Sequence, residues 1–425
     1  MKGVILAAGK GERLDPLNSR RPKHILPIGG SPLIFHTIRA MQGAGINEII
    51  IVVHHMGDQI ASCLGDGSSF SVGINYVDQG RPGGTGDALR AAAPLIGSED
   101  FLLVYGDLAF KPSSLAEMVS FWKSGKREAV IAAVRLPDAS EYGAIESSSG
   151  RLLRIMEKSC LPEPGLVNAG MYVLPGHMLK YLEATPLSER GEYELTTTIN
   201  IAAEDGMVFS VYELKDGGWV DVGRPWNVLE ANRLLLDELV RGRSIDGTVE
   251  EGVQIRGDAV IERGATVLSG TYVEGPVWIS SGCRVGPNCY LRPYTYLAQG
   301  VRVGNACEIK GSVVMERTHI GHLSYIGDSV LGMDCNIGAG TITANLRFDE
   351  RNVRASMKGK MVDTGHRKLG AFLGDGVKTG INVSIYPGVK IGHSSWIGPH
   401  ASVQRDIPPE TMVISRAEFE TRPRR

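Results

Sequence analysis

An aliphatic or sulfur-containing apolar residue occupies every sixth position over a long stretch of the second half of this chain. The ladder runs Val249, Ile255, Ile261, Val267, Val273, Ile279, Val285, Leu291, Leu297, Val303, Ile309 and Met315. Neither the 3.6-residue period of a helix nor the two-residue alternation of a half-buried strand produces that spacing. It is the hexapeptide signature of a parallel β-helix, in which each short strand sends one aliphatic side chain into a triangular prism. Gly and Asn fall between the apolar positions, as in Gly286-Pro287-Asn288 and Gly304-Asn305, where tight corners need backbone freedom. The ladder resumes at Ile385, Ile391, Ile397 and Val403.

The prism accounts for less than half of the chain. Its 425 residues have room for two or three domains, each able to bury a core. A net charge of −2 and 43% hydrophobic residues predict a soluble globular chain without a nucleic-acid partner. No apolar run is long enough for a membrane span, and the Gly3–Ala8 start is too short for a signal-peptide core. The six cysteines, at 63, 160, 283, 289, 307 and 335, have no CxxC spacing. Buried or corner thiols in a reducing cytoplasm are the reading that fits them, rather than disulfides or a zinc site.

Residues 1–240 alternate aliphatic strands with amphipathic helices, as parallel α/β folds do. Strands are expected at Gly3–Ala7, Glu48–Val53, Phe101–Tyr105 and Ala129–Val134, with helices at Pro32–Gly43 and Thr85–Ala93. A further helix is expected over Asn227–Val240, with Leu229, Leu234, Leu235 and Leu239 on its apolar face. Residues 241–425 form the second domain. Within it, about 344–370 breaks the ladder and is rich in Lys and Arg, the mark of an insert leaving one edge of a solenoid. The tail ending Arg422-Pro423-Arg424-Arg425 is expected to cap the last coil or fray.

The first strand runs into Leu6-Ala7-Ala8-Gly9-Lys10-Gly11-Glu12-Arg13-Leu14, and Arg21-Pro22-Lys23 follows. Small residues let backbone N–H groups approach phosphate oxygens, and Arg13 and Lys23 add positive charge. With Pro22-Lys23-His24-Ile25-Leu26-Pro27-Ile28, this stretch resembles the sugar-1-phosphate nucleotidylyltransferases, a Rossmann-like α/β family. The resemblance implies attack by a sugar phosphate on the α-phosphorus of a nucleoside triphosphate, with Arg13 and Lys23 stabilising charge. It implies that Leu6, Ala7, Ala8, Gly9, Gly11, Gln79, Gly84 and Thr85 bind the nucleotide, Gln79 and Gly84 reading the pyrimidine edge. Asp107, after Tyr105-Gly106, and Asp221 resemble the family's two Mg²⁺ carboxylates. Gly143, Glu157 with Lys158, and Asn168 match its sugar-binding positions; Tyr193-Glu194-Leu195-Thr196 matches a further stretch.

In the prism, Gly321-His322-Leu323-Ser324-Tyr325-Ile326-Gly327-Asp328 is followed by Asn336-Ile337-Gly338-Ala339-Gly340-Thr341-Ile342-Thr343 and Asn345. This resembles the acetyltransferase half of the bifunctional N-acetylglucosamine-1-phosphate uridylyltransferases, whose prism is a left-handed parallel β-helix. The resemblance implies His322 as the base that frees an amine to attack the thioester of acetyl-CoA. Tyr325 and Asn336 would orient the sugar, Asn345 would position sugar and acyl group, Arg292 and Lys310 would hold the sugar phosphate, and the Ala339 backbone, on the acetyl-CoA side, would help stabilise the oxyanion. Acetyl-CoA then lies between subunits of a homotrimer. After Asn345 the chain departs from the bacterial pattern and looks like the archaeal branch, with Arg351 or Arg354 in place of a lysine. Gly392-His393 and Pro399-His400 read as surface corners.

These resemblances imply a cytoplasmic bifunctional enzyme that takes UTP, amino-sugar 1-phosphates and acetyl-CoA, with Mg²⁺ as cofactor. It would N-acetylate glucosamine 1-phosphate and then couple the product to UTP. Two other readings stand beside it. One is a glucose-1-phosphate uridylyl- or thymidylyltransferase with a silent β-helix; the other is a scaffold of the translation-factor type.

Overall fold

The computed structural model describes residues 1–157, 164–215 and 218–416. Lys158, Cys160 and the Arg422–Arg425 tail lie outside the described residues. By internal contacts the chain forms two units. The first comprises Met1–Gly11, Arg21–Leu26 and Ser31–Val222, and the second Glu12–Arg20, Pro27–Gly30 and Gly223–Arg425.

In the first unit, runs of β-branched and aliphatic residues give the strands Lys2–Ala7, Glu48–Val53, Gly73–Asp78 and Phe101–Tyr105, which pair in parallel. Helices Leu33–Gly43, Gly57–Leu64 and Thr85–Ile96 provide the crossovers. The far half of the sheet is mixed in direction. Gly165–Leu174 runs antiparallel to both Phe101–Tyr105 and Ala129–Leu136, and the hairpin Gly143–Ser148/Arg151–Glu157 closes the edge of the nine-stranded sheet. Apolar layers cover both faces. Because the parallel strands share a direction, their C-terminal ends bring Leu6–Gly9, Gln79 and Tyr105–Asp107 to one edge. There the Gln79 N–H donates to the Val53 carbonyl and the Gly106 N–H to that of Leu6, both at 2.9 Å.

In the second unit the hexapeptide ladder winds into a left-handed parallel β-helix whose three faces are sheets of eight, nine and eight strands. Parallel pairs such as Ile261↔Ile279, Val267↔Val285 and Val273↔Leu291 stack identical slots one coil apart. The inward aliphatic residues form one continuous core. Each buried side chain contributes about 1.5–3 kcal/mol of burial energy. The register slips once before the end of the ladder: Val314, not Met315, stacks on Leu297. The steps Ile309→Val314 and Ile326→Leu331 are five residues long rather than six. Both short steps fall at the same edge of the prism, where the third face turns into the first.

The insert leaves at that edge too. It forms a hairpin, Arg354–Met357 with Lys360–Asp363, and Leu346 bridges Lys368 before the ladder resumes at Phe372–Leu373. The helix over Asn227–Leu239 buries Val228, Ala231, Asn232 and Leu234–Leu236, while Leu239 is exposed and Leu229 half-buried. The expected apolar face was therefore rotated. Asn232 is buried because its side chain accepts from the Gly29 N–H and donates to the Tyr294 carbonyl. Cys283, Cys289, Cys307 and Cys335 are buried and Cys63 is exposed, all outside disulfides.

Candidate active sites

At the sheet edge of the first unit, the Lys23 ammonium is ion-paired with the Asp107 carboxylate. Gly9 lies beside this pair: a Cβ on it would stand 3.9 Å from Lys23 Nζ. Burial pushes the Asp107 carboxyl up, but the Lys23 charge and its hydrogen bond outweigh burial and hold the group below the usual carboxylate range. Asp221 ends the strand Trp219–Asp221, which runs antiparallel to Leu108–Phe110, and the Val222 N–H donates to the Asp107 carbonyl at 2.9 Å. Two carboxylates on one ribbon thus suit Mg²⁺, which takes one or two protein carboxylates and fills its octahedron with phosphate oxygens and water. Sequence reasoning gave no role to His24, which is buried beside this pair. Burial first, then the Lys23 charge, drives its pKa down to about 3, so the ring is neutral.

Gln79 and Gly84 meet directly. The Gln79 Nε2 donates to the Gly84 carbonyl at 3.0 Å and to Asp87 Oδ2 at 3.3 Å. A carboxylate only accepts, so the amide nitrogen must face Asp87 and the amide oxygen faces away from it. Thr85 Oγ1 accepts from the Leu195 N–H, and Tyr193 pairs its backbone with Gly83 and Gly86, which ties the matched Tyr193–Thr196 stretch to this loop.

The three sugar-site candidates also converge. A Cβ on Gly143 would lie 3.4 Å from Glu157 Oε1 and 3.7 Å from the Asn168 Cβ. Glu157 accepts from Thr196 Oγ1 at 2.8 Å and pairs with Arg190 at 3.1 Å. Asn168 donates to the Tyr172 hydroxyl at 2.6 Å, which in turn touches the Tyr105 hydroxyl at 3.2 Å. Burial raises both phenols, Tyr105 to about 12, so they remain neutral hydrogen-bonding groups. Arg13 stands on the Glu12–Leu14 turn, which groups with the second unit. It lines a cavity of about 520 Å³ there, together with Lys358, Lys390, Asp15 and Asp406.

On the prism, Arg292, Lys310, Tyr325 and Asn345 gather at the edge with the shortened steps. Lys310 Nζ donates to both Asp328 oxygens, at 3.0 and 2.8 Å. Asn345 Nδ2 donates to Asp328 Oδ2 at 2.6 Å and to the Tyr325 hydroxyl at 3.1 Å. Arg292 pairs with Glu308 at 2.9 Å one coil above. Burial, with Asp328 and Glu308 nearby, raises the Tyr325 phenol. His322 lies at the preceding corner of the same face and is exposed. Its carbonyl takes the Gly340 N–H and the Ser324 hydroxyl, and among the described residues its imidazole has no hydrogen-bond partner.

Ala339 occupies the equivalent corner one coil on, its carbonyl bonded to the Asn382 N–H. Asn336 lies on the adjacent face, between His319 and Lys378. Arg351 is on the exposed part of the insert, its N–H on Asp349, and Arg354 donates to the Met361 carbonyl within the hairpin. Two groups escaped sequence reasoning at this edge. Asp328 was visible only as the last letter of a motif. Lys368 is brought back beside the site because the Leu369 N–H donates to the Asn345 carbonyl at 2.9 Å. His400 is an exposed corner, whereas His393 is half-buried with its Nδ1 enclosed.

Residues 2–238 match the nucleotidyl transferase family model, and residues 273–381 match a model described as the GMPPB C-terminal domain. The chain is 40% identical to the bifunctional protein GlmU of Methanocaldococcus jannaschii, over 99% of this chain and 98% of that one. It is 42% identical to the bifunctional sugar-1-phosphate nucleotidylyltransferase/acetyltransferase of Sulfurisphaera tokodaii, over 96% and 98%. A crystal structure assigned as a glucose-1-phosphate thymidylyltransferase of Bacillus anthracis superposes with a TM-score of 0.52 at 29% identity. It covers 57% of this chain and 96% of that chain.

Proposed function

The chain belongs to the family of bifunctional sugar-1-phosphate nucleotidylyltransferase/acetyltransferases, and on that premise we propose that it makes UDP-N-acetylglucosamine in two steps. The protein is both a nucleotidyltransferase and an acetyltransferase. In the proposed sequence the prism transfers acetyl from acetyl-CoA to the amine of glucosamine 1-phosphate. The first unit then joins N-acetylglucosamine 1-phosphate to UTP and releases pyrophosphate.

The observation that carries the acetyl step is the half-buried polar edge of the prism, where Lys310, Asp328, Asn345 and Tyr325 form one network. A prism used only as a spacer gains nothing from desolvating a lysine, a carboxylate and an amide. At the preceding corner of the same face, the exposed imidazole of His322 is available to take a proton from the attacking nitrogen. The amine nitrogen bonds to the thioester carbon, the C–S bond breaks, and the sulfur leaves as thiolate, which the imidazolium then protonates.

For the nucleotidyl step, Lys23 and the loop N–H groups of Leu6–Gly11 neutralise phosphate charge, and Arg13 is assigned the same task. Mg²⁺, when held by Asp107 and Asp221, supplies further charge neutralisation on the phosphates. Reaching them requires Lys23 to exchange its carboxylate partner for a phosphate. The outward oxygen of Gln79 is an acceptor, which suits the imide N–H of uracil or thymine and disfavours cytosine, whose ring nitrogen is itself an acceptor. Glu157 and Asn168 are positioned for sugar hydroxyl and N-acyl groups.

The reading includes a homotrimer with acetyl-CoA between copies, supported by exposed Leu323, Ile381, Trp396 and Met412 on the prism. The absence of disulfides among the described cysteines, with the CoA and nucleotide cosubstrates, favours a cytoplasmic setting. Among the described residues no helix is long and apolar enough to cross a membrane.

The test is a substrate panel. Purified protein is given glucosamine or galactosamine 1-phosphate with acetyl-CoA, and UTP or dTTP with each N-acetyl product, while thiol and pyrophosphate are titrated. Glucosamine 1-phosphate and UTP are expected to give the fastest release. Pyrophosphate release without any thiol release from either amino sugar would return the prism to a silent role. The insert adds a second test. Lys368, rather than Arg351, is expected to meet substrate phosphate, so Lys368→Ala raises the acetyl-step KM for amino-sugar phosphate or CoA about tenfold, equivalent to ~1.4 kcal/mol. Arg351→Ala should leave both within about twofold; the reverse ranking would restore Arg351.

A further inference from the structure

The acetyl-step reading makes Asn345 a substrate-orienting side chain, yet nothing in that reading says which end of its amide faces the substrate. We propose that Asp328 is a positioning residue that fixes the Asn345 amide with its oxygen toward the acceptor amine and holds Lys310 in register with it. The inference rests on the acetyltransferase reading and deepens it.

The argument is one of hydrogen-bond chemistry. The orientation of an amide is dictated by what its partners can donate or accept. Asp328 is almost fully buried and its Oδ2 lies 2.6 Å from the Asn345 amide. The Lys310 ammonium, which can only donate, meets both oxygens of the same carboxylate, so both oxygens act as acceptors. The Asn345 group facing it must be the NH₂. The second amide hydrogen goes to the Tyr325 hydroxyl at 3.1 Å. Both donors are thus consumed inside the protein, and the only capacity Asn345 retains for a ligand is acceptance at Oδ1.

An acceptor is what an attacking amine needs. It has N–H bonds to place while its lone pair points at the thioester carbon. An amide turned the other way would donate to that lone pair and block attack. The same carboxylate restrains Lys310 until a phosphate competes for it. Backbone geometry makes the corner. Asp328 has a positive φ of 47°, its N–H donates to the Lys310 carbonyl at 2.8 Å, and its carbonyl receives the Gly370 N–H where the insert returns. The five-residue step Ile326→Leu331 passes through this residue and draws the carboxylate under the edge.

The test is Asp328→Asn in the full chain. Asparagine tolerates the left-handed corner as aspartate does, so the fold is expected to persist, checked by an unchanged melting temperature and UTP-dependent pyrophosphate release. An amide at 328 no longer dictates which end of Asn345 it meets, and Lys310 loses its counter-charge. Acetyl-step kcat is expected to fall about a hundredfold, while KM for glucosamine 1-phosphate stays level or drops, because Lys310 is freer to meet phosphate. In an Asn345→Ala background the same substitution should change kcat less than about twofold, since the effect travels through Asn345. If Asp328→Asn does not fold, Asp328→Glu keeps the charge and shifts the acceptor, with the same split expected. A wild-type kcat, or a loss of equal size in the Asn345→Ala background, would overturn the proposal. An unmodified protein that releases no thiol would instead defeat the acetyltransferase reading on which it rests.

Discussion

His322→Ala is expected to lower acetyl transfer by about 10²–10⁴-fold, the usual contribution of a positioned general base. The structure makes this variant unusually clean. His322 holds the fold through its carbonyl, which the Gly340 N–H and Ser324 hydroxyl use, and its imidazole is exposed. Truncation at Cβ therefore removes a proton acceptor and leaves the corner intact. Melting temperature should stay within a degree or two, and UTP-dependent pyrophosphate release should match the parent. The check is thiol release from acetyl-CoA with saturating glucosamine 1-phosphate. His322→Gln, which keeps size and polarity but has no basic nitrogen, should be equally slow. Acetyl transfer at the parental rate in either variant would assign the base to another group. Simultaneous loss of both reactions in a folded protein would refute the division of labour between the units.

The second large effect is expected from Lys23→Ala. Pyrophosphate release should drop about 10²–10³-fold, as when one preorganised donor to developing charge is removed, and acetyl transfer should be untouched. This substitution also has a structural side. Lys23 and Asp107 are ion-paired in a part-buried setting, and removing the cation leaves the carboxylate desolvated and unpaired. A loss of roughly 1–3 kcal/mol in stability of the first unit follows, so the assay must be run well below the melting transition. Lys23→Arg restores charge but not the compact ammonium, and should recover only part of the rate. Full turnover by the alanine variant would remove Lys23 from the mechanism.

Much of this architecture could be read from residues alone, for physical reasons that also mark where reading stops. A six-residue ladder is dictated by the geometry of one coil, so the prism and the break beginning near Ala344 were visible. Glu48–Val53 and Phe101–Tyr105 were placed to the residue because unbroken runs of aliphatic and aromatic residues bounded by turns leave little choice. The slip from Met315 to Val314 was not visible, since both are apolar and the period continues by accident through the wrong one. Strand direction was also hidden: the run Gly165–Leu174 has the same composition whether it pairs parallel or antiparallel. The burial of Asn232 was not legible either, because its two partners, Gly29 and Tyr294, come from distant segments. At the candidate sites, motifs named side chains but not their neighbours. Gln79 meeting Asp87, Lys310 meeting Asp328 and Lys368 returning beside Asn345 all depend on coil stacking or loop closure, which no local pattern encodes.

The strands that leave and re-enter the prism at Leu346 and Lys368 are bridged to each other, so the excursion between them adds nothing to the rise along the coil axis. Its length is thereby decoupled from the stacking of the faces. The excursion can therefore be lengthened, shortened or recharged while Leu346 and Lys368 keep their seat next to Asn345. Tolerance of foreign sequence should be greatest at its tip and vanish abruptly at the stems.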